Sequence, residues 1–282
     1  MKVKELITYG KNLLQKNNIE DSQIISKILA EYILGIEKAK LIINEEKEIT
    51  EDVKTRYYLA LIEIIQGMPV QYITNKQEFM KLEFYVDVNV LIPQPDTEIL
   101  VEEVIEIAKS ISGNLNVLDI CTGSGCIGIS IAKNVDNTNV VMTDISEEAL
   151  EIAKQNYEKI IQNGKIAKFI KSNMFEKIDE KFDIIVSNPP YIETKTIEKL
   201  SKEVQREPHM ALDGGKDGLD FYRILILGAC KYLEENGYLC MEIGYNQKEA
   251  VMKLIEESGN YKEIYSKKDL SGNDRIIIAK RK

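Results

Sequence analysis

An apolar strand, Asn116-Val117-Leu118-Asp119-Ile120, runs directly into the turn Cys121-Thr122-Gly123-Ser124-Gly125, and a helix-like run, residues 126–133, follows without a break. This join constrains the fold more than any other feature, because a strand that turns straight into a helix returns to its sheet by a crossover and so pairs in parallel. The pattern recurs. Apolar runs Val140-Val141-Met142-Thr143, Ala167-Lys168-Phe169-Ile170, Asp183-Ile184-Ile185-Val186, Tyr238-Leu239-Cys240-Met241-Glu242-Ile243 and Arg275-Ile276-Ile277-Ile278-Ala279 read as strands, and residues 148–157 and 222–233 read as helices between some of them. An α/β architecture follows, with a largely parallel sheet and helices on both faces. In such sheets ligands sit at the carboxyl ends of the strands, where the strand order reverses.

Glycine in the 121–125 turn allows the backbone to approach a ligand closely. The turn lacks the full G-x-G-x-x-G and G-x-x-x-x-G-K-[ST] patterns, so pyrophosphate and triphosphate ligands are disfavoured. A nucleoside without phosphates remains. Asp144 closes the next strand, where an acidic side chain can accept hydrogen bonds from both ribose hydroxyls; Asp144-Ile145-Ser146-Glu147 also reads as a helix cap.

Asn188-Pro189-Pro190-Tyr191 ends the strand at 183–186. Two prolines remove backbone donors and hold φ near −65°, so the turn offers carbonyl oxygens, the Asn188 amide and the Tyr191 ring. Such a surface suits a planar NH2 group. Asn-Pro is also an ordinary turn dipeptide, so these residues acquire meaning from the loop and Asp144 upstream.

In this order, glycine loop, acidic strand end and Asn-Pro-Pro-Tyr resemble the class I methyltransferases that methylate an exocyclic or amide nitrogen. Gly67-Met68-Pro69-Val70-Gln71-Tyr72-Ile73, Leu91-Ile92-Pro93-Gln94-Pro95-Asp96-Thr97-Glu98, Glu207-Pro208-His209-Met210-Ala211-Leu212 and Asp217-Gly218-Leu219-Asp220-Phe221-Tyr222 narrow the resemblance. The chain is similar, over nearly its whole length, to the PrmC/HemK family of release factor glutamine methyltransferases. The resemblance implies a Rossmann-like, S-adenosyl-L-methionine-dependent class I domain that methylates the glutamine amide in the Gly-Gly-Gln motif of bacterial class I peptide chain release factors. S-adenosyl-L-homocysteine would be the product. It assigns cofactor contacts to Cys121, Thr122, Gly123, Ser124, Gly125, Asp144, Met174 and Asn188. Four positions depart from the family pattern: Cys121 stands where Gly is usual, Asn173-Met174 where an acidic residue and an aromatic are usual, and Gln94 where Arg is usual. Met174 can still pack on an adenine face and Asn173 can still accept a hydrogen bond. A salt bridge from position 94 is not carried over.

A primary amide nitrogen is a poor nucleophile because its lone pair is delocalised, and no ordinary side chain deprotonates it at neutral pH. Catalysis must therefore come mainly from orientation, worth up to ~7–11 kcal/mol in favourable intramolecular cases. On this reading Asn188 Oδ1 and the Pro189 carbonyl each accept one amide N-H, Pro190 completes the ledge, and Tyr191 packs on the amide. Asp96-Thr97-Glu98 reads either as a helix cap or as a wall of the site. Glu242 lies near a presumed strand end, and His209 is read as a surface loop residue.

Residues 1–72 have helical periodicity, with Leu6, Leu13 and Leu14, then Ile24, Ile25, Ile28 and Leu29, then Tyr57, Leu61 and Ile64 at three- and four-residue spacing. Asp21 and Thr50 are candidate caps. Strand-like stretches within 73–92 predict a β-hairpin joining this small helical domain to a catalytic domain over 93–282. The resemblance adds that the helical domain helps hold the protein substrate.

The net charge of −9 divides as −1 over residues 1–72 and −8 over the rest, so neither part is a basic arm for gripping duplex nucleic acid. Cys121, Cys126, Cys230 and Cys240 lack C-x-x-C spacing and His209 is distant in sequence, so reduced thiols and no zinc site are expected. The chain starts with a charged amphipathic pattern, without an apolar leader or an 18-residue apolar run, so no membrane association and a cytoplasmic location are expected. Two other readings stay open: an adenine or cytosine amino methyltransferase acting on DNA or RNA, whose NH2 group fits the same acceptors, and a non-catalytic protein that keeps the fold.

Overall fold

The computed structural model describes residues 1–162, 165 and 167–282. The chain divides into two compact units, Met1–Lys76 together with Ser201–Arg206, and Gln77–Leu200 together with Glu207–Lys282.

The first unit is helical: α1 (Val3–Lys16), α2 (Ser22–Leu34), α3 (Lys38–Ile43), α4 (Glu51–Ile65) and α5 (Val70–Thr74). Leu6, Leu14, Leu29, Leu61 and Ile64 meet in one buried cluster, as the periodicity predicts. Tyr57 is enclosed with them, and its hydroxyl donates to the Ser26 carbonyl at 2.9 Å, which supplies the partner that a buried phenol needs. Thr50 caps α4 by accepting from the Val53 amide. Asp21 occupies the equivalent place before α2, but in a left-handed conformation that makes no side-chain cap bond. Ser201–Arg206 belongs here as well: Arg206 donates to the Gln66 carbonyl, and a Cβ on Gly67 would come within 2.7 Å of Lys202 Cβ.

The second unit opens with a hairpin, β1 (Gln77–Phe79) and β2 (Leu82–Phe84), paired antiparallel around Met80 and Lys81. Then come α6 (Glu98–Ser110), β3 (Leu115–Ile120), α7 (Cys126–Asn134), β4 (Thr138–Asp144), α8 (Glu147–Ile160), β5 (Ala167–Lys171) and β6 (Phe182–Ser187). The remainder is α9 (Thr194–Ile197), α10 (His209–Leu212), α11 (Asp220–Tyr232), β7 (Leu233–Glu242), α12 (Lys248–Ser258), β8 (Tyr261–Lys268) and β9 (Asp274–Arg281).

Among the described residues these strands form a seven-stranded sheet in the order β5-β4-β3-β6-β7-β9-β8. Pairing is parallel from β5 through β7, and β9 is antiparallel to both β7 and β8. Neither α12 nor β8 was among the predicted elements. Successive strand residues face opposite sides, so Ile184, Val186, Ile276 and Ile278 join one buried cluster while Ile185 and Ile277 join the other. Both faces are covered, which explains why these strands read as apolar runs rather than as an alternating pattern. From β3 the order proceeds outward through β4 on one side and returns to β6 on the other. The reversal opens a crevice at the carboxyl ends of β3 and β6, where the glycine loop and Asn188 emerge.

Candidate active site

The loop after β3 is shaped from below. Asp119, 0% exposed, accepts hydrogen bonds from Thr122 Oγ1 at 2.6 Å and from the Gly128 amide at 3.0 Å, tying the turn to the first turn of α7. Gly125 occupies the α7 N-cap with φ +82°, a conformation that disfavours a Cβ. Cys121 has φ +60° and Met174 has φ +51°, so both take left-handed backbone without being glycine. This accounts physically for Gly being suited to position 121. The two sulfur atoms lie 3.9 Å apart, and burial pushes the Cys121 thiol up, so it stays neutral.

Burial is also the foremost cause that pushes Asp119 up to about 7, opposed by the Thr122 and Gly128 hydrogen bonds. An unfolded aspartate ionises near ~3.9. The sign follows: the stabilisation is complete below the unfolded value and is lost as pH rises through the folded one. Asp119→Asn is expected to flatten the decline of the thermal midpoint between about pH 4 and 7. Glu207 and Glu242, both pushed up to about 7 by burial, leave a residual slope. A midpoint-versus-pH curve parallel to that of the unsubstituted protein would count against this role for Asp119.

Asp144, at the end of β4, accepts from the Gly123 amide at 2.9 Å through one carboxylate oxygen and from the Ser146 amide at 3.0 Å through the other. Each oxygen retains lone-pair capacity for a further donor. Capping of α8 falls to Ser146, whose hydroxyl accepts from the Ala149 amide. Burial raises the Asp144 carboxyl above its usual range, against these backbone hydrogen bonds.

Asn188 follows β6 and is half-buried; its Nδ2 donates to Thr97 Oγ1 at 3.3 Å. Pro189 and Pro190 are buried. Gly214 packs behind them, where a Cβ would lie 2.6 Å from Tyr191 Cα, so the turn requires glycine at that approach. The Asp96-Thr97-Glu98 stretch does not cap α6: Thr97 takes the N-cap position without a side-chain cap bond. Instead Asp96 pairs with Arg275 at 3.1 Å, Glu98 accepts from the Met80 amide, and Thr97 meets Asn188. The Gln94 side chain donates to the nearby Ile92 carbonyl, and His209 is exposed.

One cavity of about 210 Å³ gathers Cys121, Gly123, Asp144, Met174, Asn188 and Pro190. Thr122, Ser124, Gly125 and Pro189 are not on its wall and sit in the turns behind it. Tyr191 lines a second cavity, of about 550 Å³, with Gly244, Gln247 and Arg275; its hydroxyl lies 3.5 Å from Glu242 Oε1. Further walls of the first cavity come from residues 89–91, Pro208, Met210 and Phe221. Nothing in their local sequence marks them as site residues, although most lie in or next to the segments that carry the family resemblance.

Strand order, glycine loop and acidic strand end define a methyltransferase of the class I fold. A methyltransferase from Pyrococcus furiosus, 20% identical, superposes with a TM-score of 0.51 over 71% of this chain and 88% of its own, and shows the same fold. A PrmC N-terminal domain model matches residues 5–74, and a methyltransferase small domain model matches residues 95–215. The release factor glutamine methyltransferase of Clostridium acetobutylicum is 40% identical across 100% of this chain and 99% of its own. That of Clostridium botulinum is 39% identical, with 100% of both chains covered. The chain belongs to the release factor glutamine methyltransferase family.

Proposed function

We propose that this chain transfers the methyl group of S-adenosyl-L-methionine to the side-chain amide nitrogen of the Gly-Gly-Gln glutamine in class I peptide chain release factors. The observation that carries this reading is Asn188: its Nδ2 is engaged by Thr97, so Oδ1 is available as an acceptor on the cavity that Asp144 also lines.

The residues fit the cofactor. Asp144 has oxygen capacity for two ribose hydroxyls, Cys121 and Met174 give a sulfur-rich apolar surface for a purine, and the uncharged Gly123 backbone needs no phosphate partner. When bound, the sulfonium supplies an electrophilic methyl group. Asn188 Oδ1 takes one N-H of the substrate amide and holds its nitrogen toward that methyl; the expected second acceptor, the Pro189 carbonyl, belongs to a residue that does not line the cavity. In the transfer the N–C bond would form as the S–C bond breaks, and one N-H proton would pass to solvent. Asn is not a base; it selects for donors and repels the oxygens of a carboxylate. Tyr191 supports this ledge from its far side through the ring and through its carbonyl, which accepts from Gln247 Nε2 at 2.9 Å.

In this reading residues 1–72 hold the protein substrate, 73–92 link, and 93–282 carry the chemistry in the cytoplasm. Among the described residues no helix is long and apolar enough to cross a membrane. Transfer of labelled methyl to a purified release factor tests the assignment. Label should enter the native factor, while its Gln-to-Glu variant and duplex DNA should take up at least roughly 100-fold less, given the cost of facing acceptors with acceptors. Equal labelling of the glutamate variant, or preferential labelling of DNA, would refute it.

A further inference from the structure

After β2 ends at Phe84, residues 85–92 run in neither helix nor strand, so their backbone groups need partners other than a sheet neighbour. Asn89, Val90 and Leu91 nevertheless wall the same cavity that Gly123 and Asp144 line. We propose that Asn156 is a positioning residue for the cofactor: its buried carboxamide locks the 85–92 segment to the glycine loop, so that the second half of the 73–92 stretch is a wall of the cofactor site as well as a link. The role of this cavity as a cofactor site rests on the function proposed above.

Asn156 lies on α8 and is 0% exposed. Its Nδ2 donates to the Tyr85 carbonyl at 2.9 Å, and its Oδ1 accepts from the Tyr85 amide at 2.7 Å. The side chain thus exchanges with Tyr85 the pair of bonds that an adjacent antiparallel strand would supply. The second Nδ2 hydrogen goes to the Ser124 carbonyl at 2.9 Å, inside the glycine loop. Two carbonyls can only accept and a backbone amide can only donate, so these partners admit one orientation of the carboxamide. Asn156 is absent from the cavity wall, and both of its amide hydrogens are committed. It therefore acts through Tyr85 and Ser124 rather than by touching a ligand.

The surrounding packing brings all three partners together. Gly125 lets the loop close on α8: a Cβ there would lie 3.1 Å from Ala153 Cβ, one turn before Asn156. The same helix contributes Ala149 to the cavity. At the far end of the segment the Ile92 amide donates to Glu207 Oε2 at 3.2 Å, and Val86 and Val90 are buried between the two anchors. With both walls held in advance, the cofactor meets a formed cavity and does not have to order two loops as it binds. The proline turn after β6 makes none of these bonds, so the effect falls on affinity and not on turnover.

The test compares Asn156→Ala with the unsubstituted protein by calorimetric titration of S-adenosyl-L-methionine, by amide hydrogen exchange, by kcat for methyl transfer at saturating cofactor, and by thermal melt. Affinity should fall roughly tenfold, the scale of the anchoring hydrogen bonds lost, while kcat at saturation stays within about twofold. Exchange should quicken in 85–92 and 121–126 together, leave β3 and β4 protected, and slow again when cofactor is added. A folded Asn156→Ala with unchanged affinity, a kcat loss without an affinity loss, or exchange that quickens evenly across the sheet would overturn the proposal. If the variant does not fold, exchange in the unsubstituted protein decides: a Tyr85 amide as slow as those of β3 supports the lock, and one as fast as an exposed loop amide overturns it. An unsubstituted protein that binds no S-adenosyl-L-methionine defeats the cofactor reading itself, whereas one that binds it equally with and without Asn156 defeats only this inference.

Discussion

Replacing Asn188 by alanine is expected to lower kcat for methyl transfer by roughly 1,000-fold, the upper range seen when a donor or acceptor aimed at the reacting group is removed. Two losses combine. The substrate amide loses the Oδ1 acceptor and with it the orientation that points nitrogen at the methyl, and Thr97 loses the partner it holds at 3.3 Å. Cofactor affinity should change far less, because the proposed ribose acceptor is Asp144, which also holds the Gly123 amide. Single-turnover kinetics and calorimetry separate the two quantities. Comparable losses in turnover and affinity would contradict the division of labour.

The second large effect is expected at Asp144, and there it falls on binding rather than on turnover. Asp144→Ala should weaken cofactor binding by roughly 100-fold or more, from two charge-assisted hydrogen bonds worth ~1.5–3 kcal/mol each less the cost of desolvating the carboxylate. It also strips the Gly123 amide of its acceptor and so loosens the loop that forms the floor. Asp144→Asn keeps an acceptor and the shape, and should lose less. Since burial raises the Asp144 carboxyl above its ordinary range, binding by the unsubstituted protein should weaken as pH falls into the acidic region. Calorimetric titrations across pH check both. Retained affinity in Asp144→Ala would remove Asp144 from the binding site.

The parts legible in the sequence were those whose signal is local. The strand-turn-helix at 115–134, the acidic end of β4 and the prolines after β6 each announce themselves within one short stretch of sequence, and their meeting in one crevice follows from strand order. The hairpin was legible for the same reason. Thr97 was not: its neighbours mimic a cap, and its partner Asn188 lies 91 residues away. Tyr191 shows the same limit. Its place in the motif was plain, but the direction of its ring depends on Glu242 and Gly244, contributed by a later strand and its following loop. β8, with its many charged residues at the sheet edge, lacks the apolar run that marked the interior strands. The left-handed backbone at Cys121 and Met174 was equally hidden, since neither residue type signals positive φ.

The chain leaves the helical unit after Lys76 and re-enters it at Ser201–Arg206, a short excursion between the proline turn and α10. A protease that nicks the backbone once between residues 76 and 77 therefore yields an amino-terminal fragment whose fold still clasps six residues belonging to the other piece. The fragments should co-purify after such a cut. Expression of residues 77–282 alone would leave this inserted segment without its host, so trimming the gene at the apparent boundary is not equivalent to isolating a module.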